Sequence, residues 1–425
     1  MKRRQFKLSI LTLIGLSALT AWLTTDYRIQ WLRENAVRIS VDPYNEDFSD
    51  MEPLKAAIGQ ADMVLLGEQT HGDGTTFEAK CRLVKFLHQQ MNFDVLAFES
   101  SFYACSKANQ LLLNRTIAPK QALQSCLFPI WGMAKEVESL PDYLQRQYDN
   151  PLEISGFDCQ SSGRLDQGVV DDLTDFLVRK QIDISPGHLH SLRVFFSWHK
   201  PQSNPPIDSL NKHQSAVYEL VNAINDTTLE GRSWKHYLQS TAYYIAKKVA
   251  IKDDPIQLKG NTLRDSLMAE NLLWLKREKY PNKKIIVWAA SMHNLRGRHK
   301  IGEMPKGRAY YPLITMGDIL SRRLAPERIY NIGFSAAEGN CAVYNRTDSA
   351  LLTPPLKNSF EAAAIEAGLE NAFVDFRSKK KPFPSWQTKP FFMRVLGVNH
   401  YRAPWFEHLD GVCFTRHMQR VHPSR

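Results

Sequence analysis

Two glutamates and two histidines stand where they could act together as proton donors and acceptors. Glu68 and His71 follow one short apolar run, Glu99 follows a second, and His293 comes shortly after a third. An imidazole titrates near neutral pH and can take a proton from water, while a carboxylate can orient that imidazole and stabilise its charged form. These four side chains therefore predict acid–base chemistry, provided that the fold brings them together.

The elements that must position these side chains are apolar runs of the length typical of buried strands. Four are clear and a fifth is weaker: residues 63–66, 95–98, 285–288 and 329–332, then 152–157. Between the first two, apolar residues recur at helical spacing, which predicts a strand–helix–strand unit and a parallel sheet. The expected fold is α/β, with a central, mainly parallel sheet flanked by helices.

Ligands of parallel α/β sheets bind beyond the carboxyl ends of the strands. Glu68 and His71, Glu99, Asp158 and His293 all follow predicted strands closely, so neighbouring strands would gather them in one cleft. Each residue also has a structural explanation when taken singly, since an acid can favour a helix N-terminus and a histidine can occupy a turn. Their joint position favours the functional interpretation.

The chain is long enough for one large domain, which we place at residues 40–425. Residues 163–280 are richer in polar side chains and have helical spacing, which predicts a helical insertion or lid between two strands of the sheet. No internal repeat or low-complexity block interrupts this organisation.

Residues 1–25 resemble an export signal, because a basic cluster precedes an apolar stretch. An uncut segment would instead be a short N-terminal membrane anchor, so the expected location is periplasmic or at the outer face of the inner membrane. Cleavage is left open, as is membrane association through this segment. Export permits disulfides, and Cys105 with Cys126 is the first pair to test.

The net charge of +10 does not indicate a nucleic-acid partner, because the basic residues are spread along the chain without an aromatic-rich motif. The sequence also has no GxSxG elbow, HExxH motif, Walker loop or dinucleotide fingerprint. The expected partner is therefore a small molecule, and the chemistry rests on the acidic residues and histidines.

The segment LGEQTHG at residues 66–72 resembles the LGE-x-(T/S)-HG signature of the erythromycin esterase family. Ordered similarities follow at residues 93–99, 156–158, 287–293, 315–318, 332–334 and 409–412. The resemblance implies a hydrolase that adds water to a carboxylic ester, a macrolactone being one candidate. It implies that His71 is the general base, that Glu68, Glu99 and His293 shape the site, and that Lys80, Glu136 and Asp158 contact substrate.

Two residues depart from the family pattern. Lys80 stands where the family usually has arginine, and Ala290 stands where it usually has the first histidine of a WAHN-x-H motif. A lysine keeps the positive charge but not the bidentate geometry of a guanidinium. Both changes bear on the substrate and on the activity itself.

Two alternatives to metal-free ester hydrolysis stay open at the level of sequence. Although no cofactor is expected, Glu68, His71, Glu99 and His293 would be a workable ligand set for a divalent metal in a metallohydrolase. The chain could also be a binding protein without turnover, because distant relatives of the family include haem-handling proteins.

Overall fold

The computed structural model describes residues 27–147, 149–197, 206–253, 258–302, 313–343, 348–378 and 389–424. The predicted export segment at residues 1–25 lies outside these ranges, so export stays a prediction. Within the described ranges, no helix has both the length and the apolar character needed to cross a bilayer.

The strands of the described residues form one large sheet and one small sheet. Their bounds are β1 Ala36–Arg38, β2 Met63–Leu66, β3 Val95–Ser101, β4 Glu153–Asp158, β5 Ile285–Trp288, β6 Ile329–Cys341, β7 Ala350–Leu351, β8 Asn371–Asp375, β9 Phe391–Leu396, β10 Asn399–Ala403 and β11 Gly411–Met418. The large sheet has the order β1-β8-β11-β6-β2-β5-β3-β4, with β7 pairing with β6, and β9 and β10 form a separate hairpin.

Sixteen α-helices lie in the described residues, and they fill the connections between the strands. They are α1 Tyr27–Asn35, α2 Glu52–Ile58, α3 Gly74–Met91, α4 Phe102–Leu113, α5 Pro119–Cys126, α6 Pro129–Gly132, α7 Ser139–Arg146, α8 Val169–Arg179, α9 Pro186–Ser197, α10 Ile207–Ala223, α11 Leu229–Ala250, α12 Leu258–Trp274, α13 Ser291–Asn294, α14 Met316–Arg323, α15 Phe360–Glu366 and α16 Trp405–His408. Sheet and helices together confirm the predicted α/β class.

The centre of the large sheet is parallel, from β11 through β6, β2, β5 and β3 to β4, while β1, β7 and β8 pair antiparallel with their neighbours. Leu66, Trp288, Phe98 and Gly156 are aligned across four adjacent strands. The residues that follow them therefore emerge at one edge of the sheet, as the sequence predicts for Glu68, Glu99 and Asp158.

The strand order differs from the simplest arrangement of the predicted strand–helix–strand unit, in which its two strands are neighbours in the sheet. Strands β2 and β3 are not neighbours, because β5 lies between them.

Glu99 does not follow its strand but lies within β3, which continues to Ser101 through an irregular register after Phe98. Gly156 permits that close approach, since a Cβ there would meet the Ser101 carbonyl oxygen at 2.2 Å.

Helices cover both faces of the sheet, which explains why the central strands are apolar throughout. In β2, Val64 and Leu66 contribute to one core, whereas Met63 and Leu65 contribute to the other. The predicted helical insertion corresponds to helices α8 to α12 between β4 and β5, and these helices supply much of the second core. They form a packed layer of the fold, and their action as a lid stays a prediction.

Candidate functional site

Glu68 is the centre of one group of polar side chains beyond the end of β2. It is fully buried, and its carboxylate accepts three hydrogen bonds: from Trp131 Nε1 at 3.0 Å and His71 Nδ1 at 2.9 Å on Oε1, and from Lys80 Nζ at 2.7 Å on Oε2. Burial alone would raise the pKa of Glu68, but the charge of Lys80 and the hydrogen bond of His71 lower it below its ordinary value. Glu68 is therefore a carboxylate at neutral pH.

His71 is the part of this group that faces outward, with 40% of its side chain exposed. Its Nδ1 bonds to Glu68, and its Nε2 has no hydrogen-bond partner among the described residues. Burial would lower the pKa of His71, but Glu68 raises it above its ordinary value. Since a ring nitrogen that donates to a carboxylate leaves the other nitrogen as the proton acceptor, the Nε2 atom can accept a proton from a water molecule in the neutral state.

Lys80 lies behind Glu68 on helix α3 and is fully buried. Its ammonium also lies 4.2 Å from the centre of the Trp288 ring and 3.4 Å from the Ala289 carbonyl oxygen. Burial lowers the pKa of Lys80, and the charge of Glu68 opposes that effect. Lys80 thus neutralises the buried carboxylate, and its contact with substrate stays a prediction.

Arg264 is the centre of a second group, at the ends of β3 and β4. Its guanidinium donates to Glu99 Oε1 at 2.8 Å and to both oxygens of Asp158, at 2.6 and 3.2 Å. Burial would raise the pKa of Glu99, but His293 and Arg264 hold it well below its ordinary value. This ion-pair network joins helix α12 to two strands of the sheet.

His293 is buried within the second group, and both of its ring nitrogens have partners. Nδ1 lies 2.9 Å from Asp265 Oδ1, while Nε2 lies 3.3 Å from Glu99 Oε1 and 3.2 Å from an Arg264 nitrogen. Burial would lower the pKa of His293, but Asp265 and Glu99 raise it to about 9. The raised pKa favours the positively charged imidazole, which forms ion pairs with Asp265 and Glu99.

The two groups meet at the backbone just beyond β5. The Ala289 carbonyl oxygen lies near Lys80, and the Ala290 N–H donates to Glu99 Oε2 at 2.9 Å. The charges of Glu99 and His293 also act on the pKa of His71, which shows that the groups interact electrostatically. Because β5 lies between β2 and β3, the residues just beyond it contact Glu99 directly and approach Glu68 through Lys80.

The loop that carries His71 is held in place from several sides. The Thr70 N–H and hydroxyl both donate to Asp73, the Gln69 side chain donates to the Arg394 carbonyl oxygen, and the Ser291 N–H donates to the Glu68 carbonyl oxygen. Gly67 permits the contact with α13, because a Cβ there would lie 2.5 Å from Ser291 Oγ. The imidazole therefore projects from a fixed backbone.

The profile of the erythromycin esterase family matches residues 88–418 of the chain. The chain belongs to the erythromycin esterase family. The match begins beyond the segment at residues 66–72, so it is independent of the motif on which the resemblance mainly rests. The matched residues include those of the weaker, ordered similarities from residue 93 onward.

Similar proteins extend this finding. YbfO of Bacillus subtilis (strain 168) is 28% identical to this chain over 416 residues, which cover 92% of this chain and 91% of YbfO. The name of YbfO describes it as a hydrolase by inference. Among solved structures, a succinoglycan biosynthesis protein has a TM-score of 0.77 at 18% identity, covering 93% of this chain and 98% of that one. A mutant of the erythromycin esterase EreC in its open conformation has a TM-score of 0.66 at 18% identity, covering 91% and 98%.

Together, the family and the relative support hydrolase activity for this chain, and the solved structures show the erythromycin esterase fold. The two departures from the family pattern have defined places in that fold. Lys80 supplies a single positive charge to Glu68, and Ala290 uses its backbone N–H rather than a side chain to contact Glu99.

Among the predicted site residues of this erythromycin esterase family member, the structure joins Glu68, His71 and Lys80 in one group and Glu99, Asp158 and His293 in the other. Glu136 belongs to neither. Its carboxylate bonds to the backbone N–H and ring of His422 near the C-terminus, and its substrate role stays a prediction.

Sequence reasoning gave no site role to Arg264, Asp265 or Trp131. The first two lie on helix α12, far from any strand end along the chain, so strand-tip reasoning gave no signal for them. An arginine beside an aspartate in a helix that also supplies apolar side chains to the core is a hint that the sequence offers.

The remaining expectations concern cysteines and metals. All six cysteines are free thiols, and Cys105 Sγ lies 3.8 Å from the carbonyl oxygen of Cys126, so the pair is adjacent without being bonded. The described residues contain no group of three or more cysteine, histidine or acidic side chains arranged to hold a metal ion.

Proposed function

We propose that this protein hydrolyses a carboxylic ester with a water molecule that His71 activates. The observation that carries the proposal is the pairing of a buried, ionised Glu68 with an outward-facing His71 whose Nε2 is open. This is the arrangement of a general base and the carboxylate that orients it. A macrolactone is one candidate among such esters.

In the proposed reaction, His71 Nε2 takes a proton from water while the water oxygen bonds to the ester carbonyl carbon. The tetrahedral intermediate then expels the alkoxide as its C–O bond breaks, and the proton held by His71 passes to that alkoxide. Glu68 stabilises the imidazolium between these steps, and Lys80 and Trp131 hold Glu68 in place. Water is consumed, and an acid and an alcohol are formed.

The second group has a supporting role in this proposal. His293 is buried with both ring nitrogens engaged, and the guanidinium of Arg264 is held by two carboxylates. These side chains fix the charge next to His71, and the positive charge of His293 opposes protonation of His71. Glu99 favours that protonation, and its effect on the pKa of His71 is larger than that of His293.

A metal-dependent mechanism with the same four residues is the alternative, and the contacts of those residues argue against it. The oxygens of Glu68 already bond to Lys80, Trp131 and His71, while Glu99 bonds to Arg264 and to the Ala290 N–H. A divalent metal would have to displace these cationic and neutral donors. Activity that survives prolonged chelation supports the metal-free mechanism, and activity restored only by added metal contradicts it.

The deciding experiment compares His71→Ala with the unmodified protein across simple esters and macrolactones. Loss of the general base should lower kcat/KM by roughly 100-fold to 10,000-fold. His417→Ala is the matched control, because the His417 side chain is 63% exposed and pairs with Glu338 rather than with either group of the candidate site. A His71→Ala protein with full activity, in a preparation that folds normally, would refute the proposal.

A further inference from the structure

A second concave site, which does not include His71, extends along helix α4 from Phe102, just beyond β3, to Leu113. Its volume is about 770 Å³, within the range of small-molecule sites. Glu153, the first residue of β4, lines this cavity, whereas Asp158, the last residue of that strand, belongs to the candidate site. At about 3.3 Å per residue, roughly 16 Å separate them. Helices α4, α8 and α11 form the walls.

Aromatic rings form the floor of this cavity. Tyr103 and Trp234 lie with ring centres 5.7 Å apart, and Tyr237 lies 6.1 Å from Trp234 and 6.5 Å from Phe102. Trp234 is half-buried, so part of its indole faces the cavity. Flat, weakly polar surfaces of this kind bind the apolar faces of ring-shaped ligands.

Two leucines extend that apolar surface to the rim. Leu113 is 49% exposed and Leu229 is 42% exposed, and both line the cavity from opposite walls. Large apolar side chains that stay exposed at the mouth of a concave site are typical of binding surfaces rather than of bare solvent-facing helices.

The charged residues of the walls are paired with each other. Lys107 contacts Asp172 at 2.6 Å, and Arg179 contacts Glu230 at 2.6 Å. The third cation of the lining, Lys279, donates to Ser106 at 2.7 Å. The acid Glu153 pairs with Lys283, which lies outside the lining, at 2.6 Å, so the remaining charges of the lining are one acid, Asp175, and one base, Lys279. The charges of the walls therefore balance.

We propose that this cavity binds a segment of an uncharged carbohydrate. A sugar ring has apolar C–H faces that stack on aromatic side chains, and hydroxyl groups around its edge that donate to carboxylates and serine oxygens such as Asp175 and Ser233. Because the charges of the walls balance, neither a cationic nor an anionic ligand gains a net attraction there. A neutral, hydroxyl-rich, flat-faced ligand fits both observations.

The test is calorimetric titration of the purified protein with three neutral probes, maltohexaose, cellohexaose and chitohexaose, and with two charged ones, hexagalacturonate and choline. At least one neutral probe should bind saturably with a Kd below about 1 mM. Trp234→Ala should weaken that binding by about tenfold or more, and Trp234→Phe should retain most of it, because a phenyl ring still stacks.

Ser233→Trp is the second variant, since it fills the cavity from its wall without removing a core contact, and it should abolish binding. It decides the result if Trp234→Ala fails to fold. Tyr243→Ala is the control, because Tyr243 is 58% exposed on the same helix and does not line the cavity. The proposal fails if no neutral probe binds, if a charged probe binds in preference, or if binding persists in Ser233→Trp. His71→Ala should bind as the unmodified protein does, which separates this site from the proposed hydrolysis.

Discussion

Glu68 receives hydrogen bonds from a cation, an indole and an imidazole, and only the imidazole reaches solvent. Such a buried carboxylate depends on its partners, because an ionised group without compensation inside a protein is costly. At the scale of single residues, the protonation state of His71 and the stability of the fold therefore depend on the same side chain.

Glu68→Gln should change both properties. Without the negative charge, the pKa of His71 falls, so the acid limb of the kcat/KM profile should move to lower pH as the maximal rate declines. Lys80 is left buried without compensation, so the free energy of unfolding should fall by about 3 kcal/mol. Denaturant titration and a pH–rate profile measure the two effects.

The double variant Glu68→Gln/Lys80→Met is the control for the stability effect. It removes both charges and should recover most of the lost free energy of unfolding, because no unpaired charge stays in the core. An equally unstable double variant, or an acid limb that does not move in Glu68→Gln, would contradict the assigned pairing.

Asp73 gives a second prediction at this scale. Burial raises the pKa of Asp73 to about 7, although Thr70 donates two hydrogen bonds that oppose the shift. Between about pH 4 and 7 the folded protein holds a proton that the unfolded chain has lost, so this group makes stability fall as pH rises through that window. Asp73→Asn should remove that fall.

Urea denaturation at pH 5 and pH 8 checks this prediction. The difference in unfolding free energy between the two pH values should be smaller in Asp73→Asn than in the unmodified protein. Asp348→Asn, at an exposed position, should leave the difference unchanged. An unaltered pH dependence in Asp73→Asn would show that Asp73 titrates normally.

At the scale of elements, helix α12 supplies part of a site whose other side chains lie at the ends of strands. Arg264 and Asp265 are adjacent on this helix, and both contact His293, while Arg264 also joins Glu99 and Asp158. Helix packing on the sheet therefore determines the charge on His293, because two of its neighbours come from the helix. The segment between β4 and β5 contributes polar partners as well as core.

Arg264→Ala should lower the free energy of unfolding by roughly 3 kcal/mol or more, because it leaves Glu99 and Asp158 buried without their counter-charge. Arg264→Lys should recover only part of that loss, since one ammonium cannot reproduce the geometry of the guanidinium. Thermal and denaturant unfolding give the values.

Arg323→Ala serves as the matched control for that series. Arg323 pairs with Glu270 on the same helix α12, but both side chains are nearly half exposed, so the change should cost less than about 1 kcal/mol. A loss in Arg264→Ala no larger than in Arg323→Ala would mean that the network contributes little to the fold.

At the scale of the whole molecule, the C-terminal segment, residues 419–424, crosses back to the start of helix α3. The Gly74 N–H donates to the Gln419 carbonyl oxygen at 2.8 Å, the Lys135 N–H donates to the His422 carbonyl oxygen at 2.9 Å, and Val421 is fully buried. This segment connects the loop of His71 to residues 133–136, just after the helix that carries Trp131.

Deleting residues 419–425 should therefore loosen the loop at residues 67–74 and reduce ester hydrolysis. Hydrogen exchange of that loop should rise, because its backbone bond to Gln419 and the packing of Val421 are lost together. His422→Ala, which removes one half-exposed side chain, should cost about 1 kcal/mol or less. A deletion that leaves loop exchange and activity unchanged would contradict this connection.

The sequence by itself determined the strands and the positions of the chemical groups at their ends. Apolar runs specify buried strands through short-range spacing, and parallel strands align their carboxyl ends, so Glu68, Glu99, Asp158 and His293 could be placed at one edge before the fold was known. The helical spacing of α3 and of the segment between β4 and β5 was predictable for the same reason.

Only the tertiary structure decided which partners these groups have. It placed β5 between β2 and β3, placed Lys80 beneath Glu68, and brought Arg264 to Glu99 across 165 residues of sequence. It also turned Glu136 toward the C-terminus. The spacing of apolar residues along a chain indicates which face of a helix or strand a side chain occupies. Ion pairs instead join segments that are far apart in the sequence, and local spacing does not indicate which segments these are. Protonation states follow from those pairs, so they too are fixed only by the folded molecule.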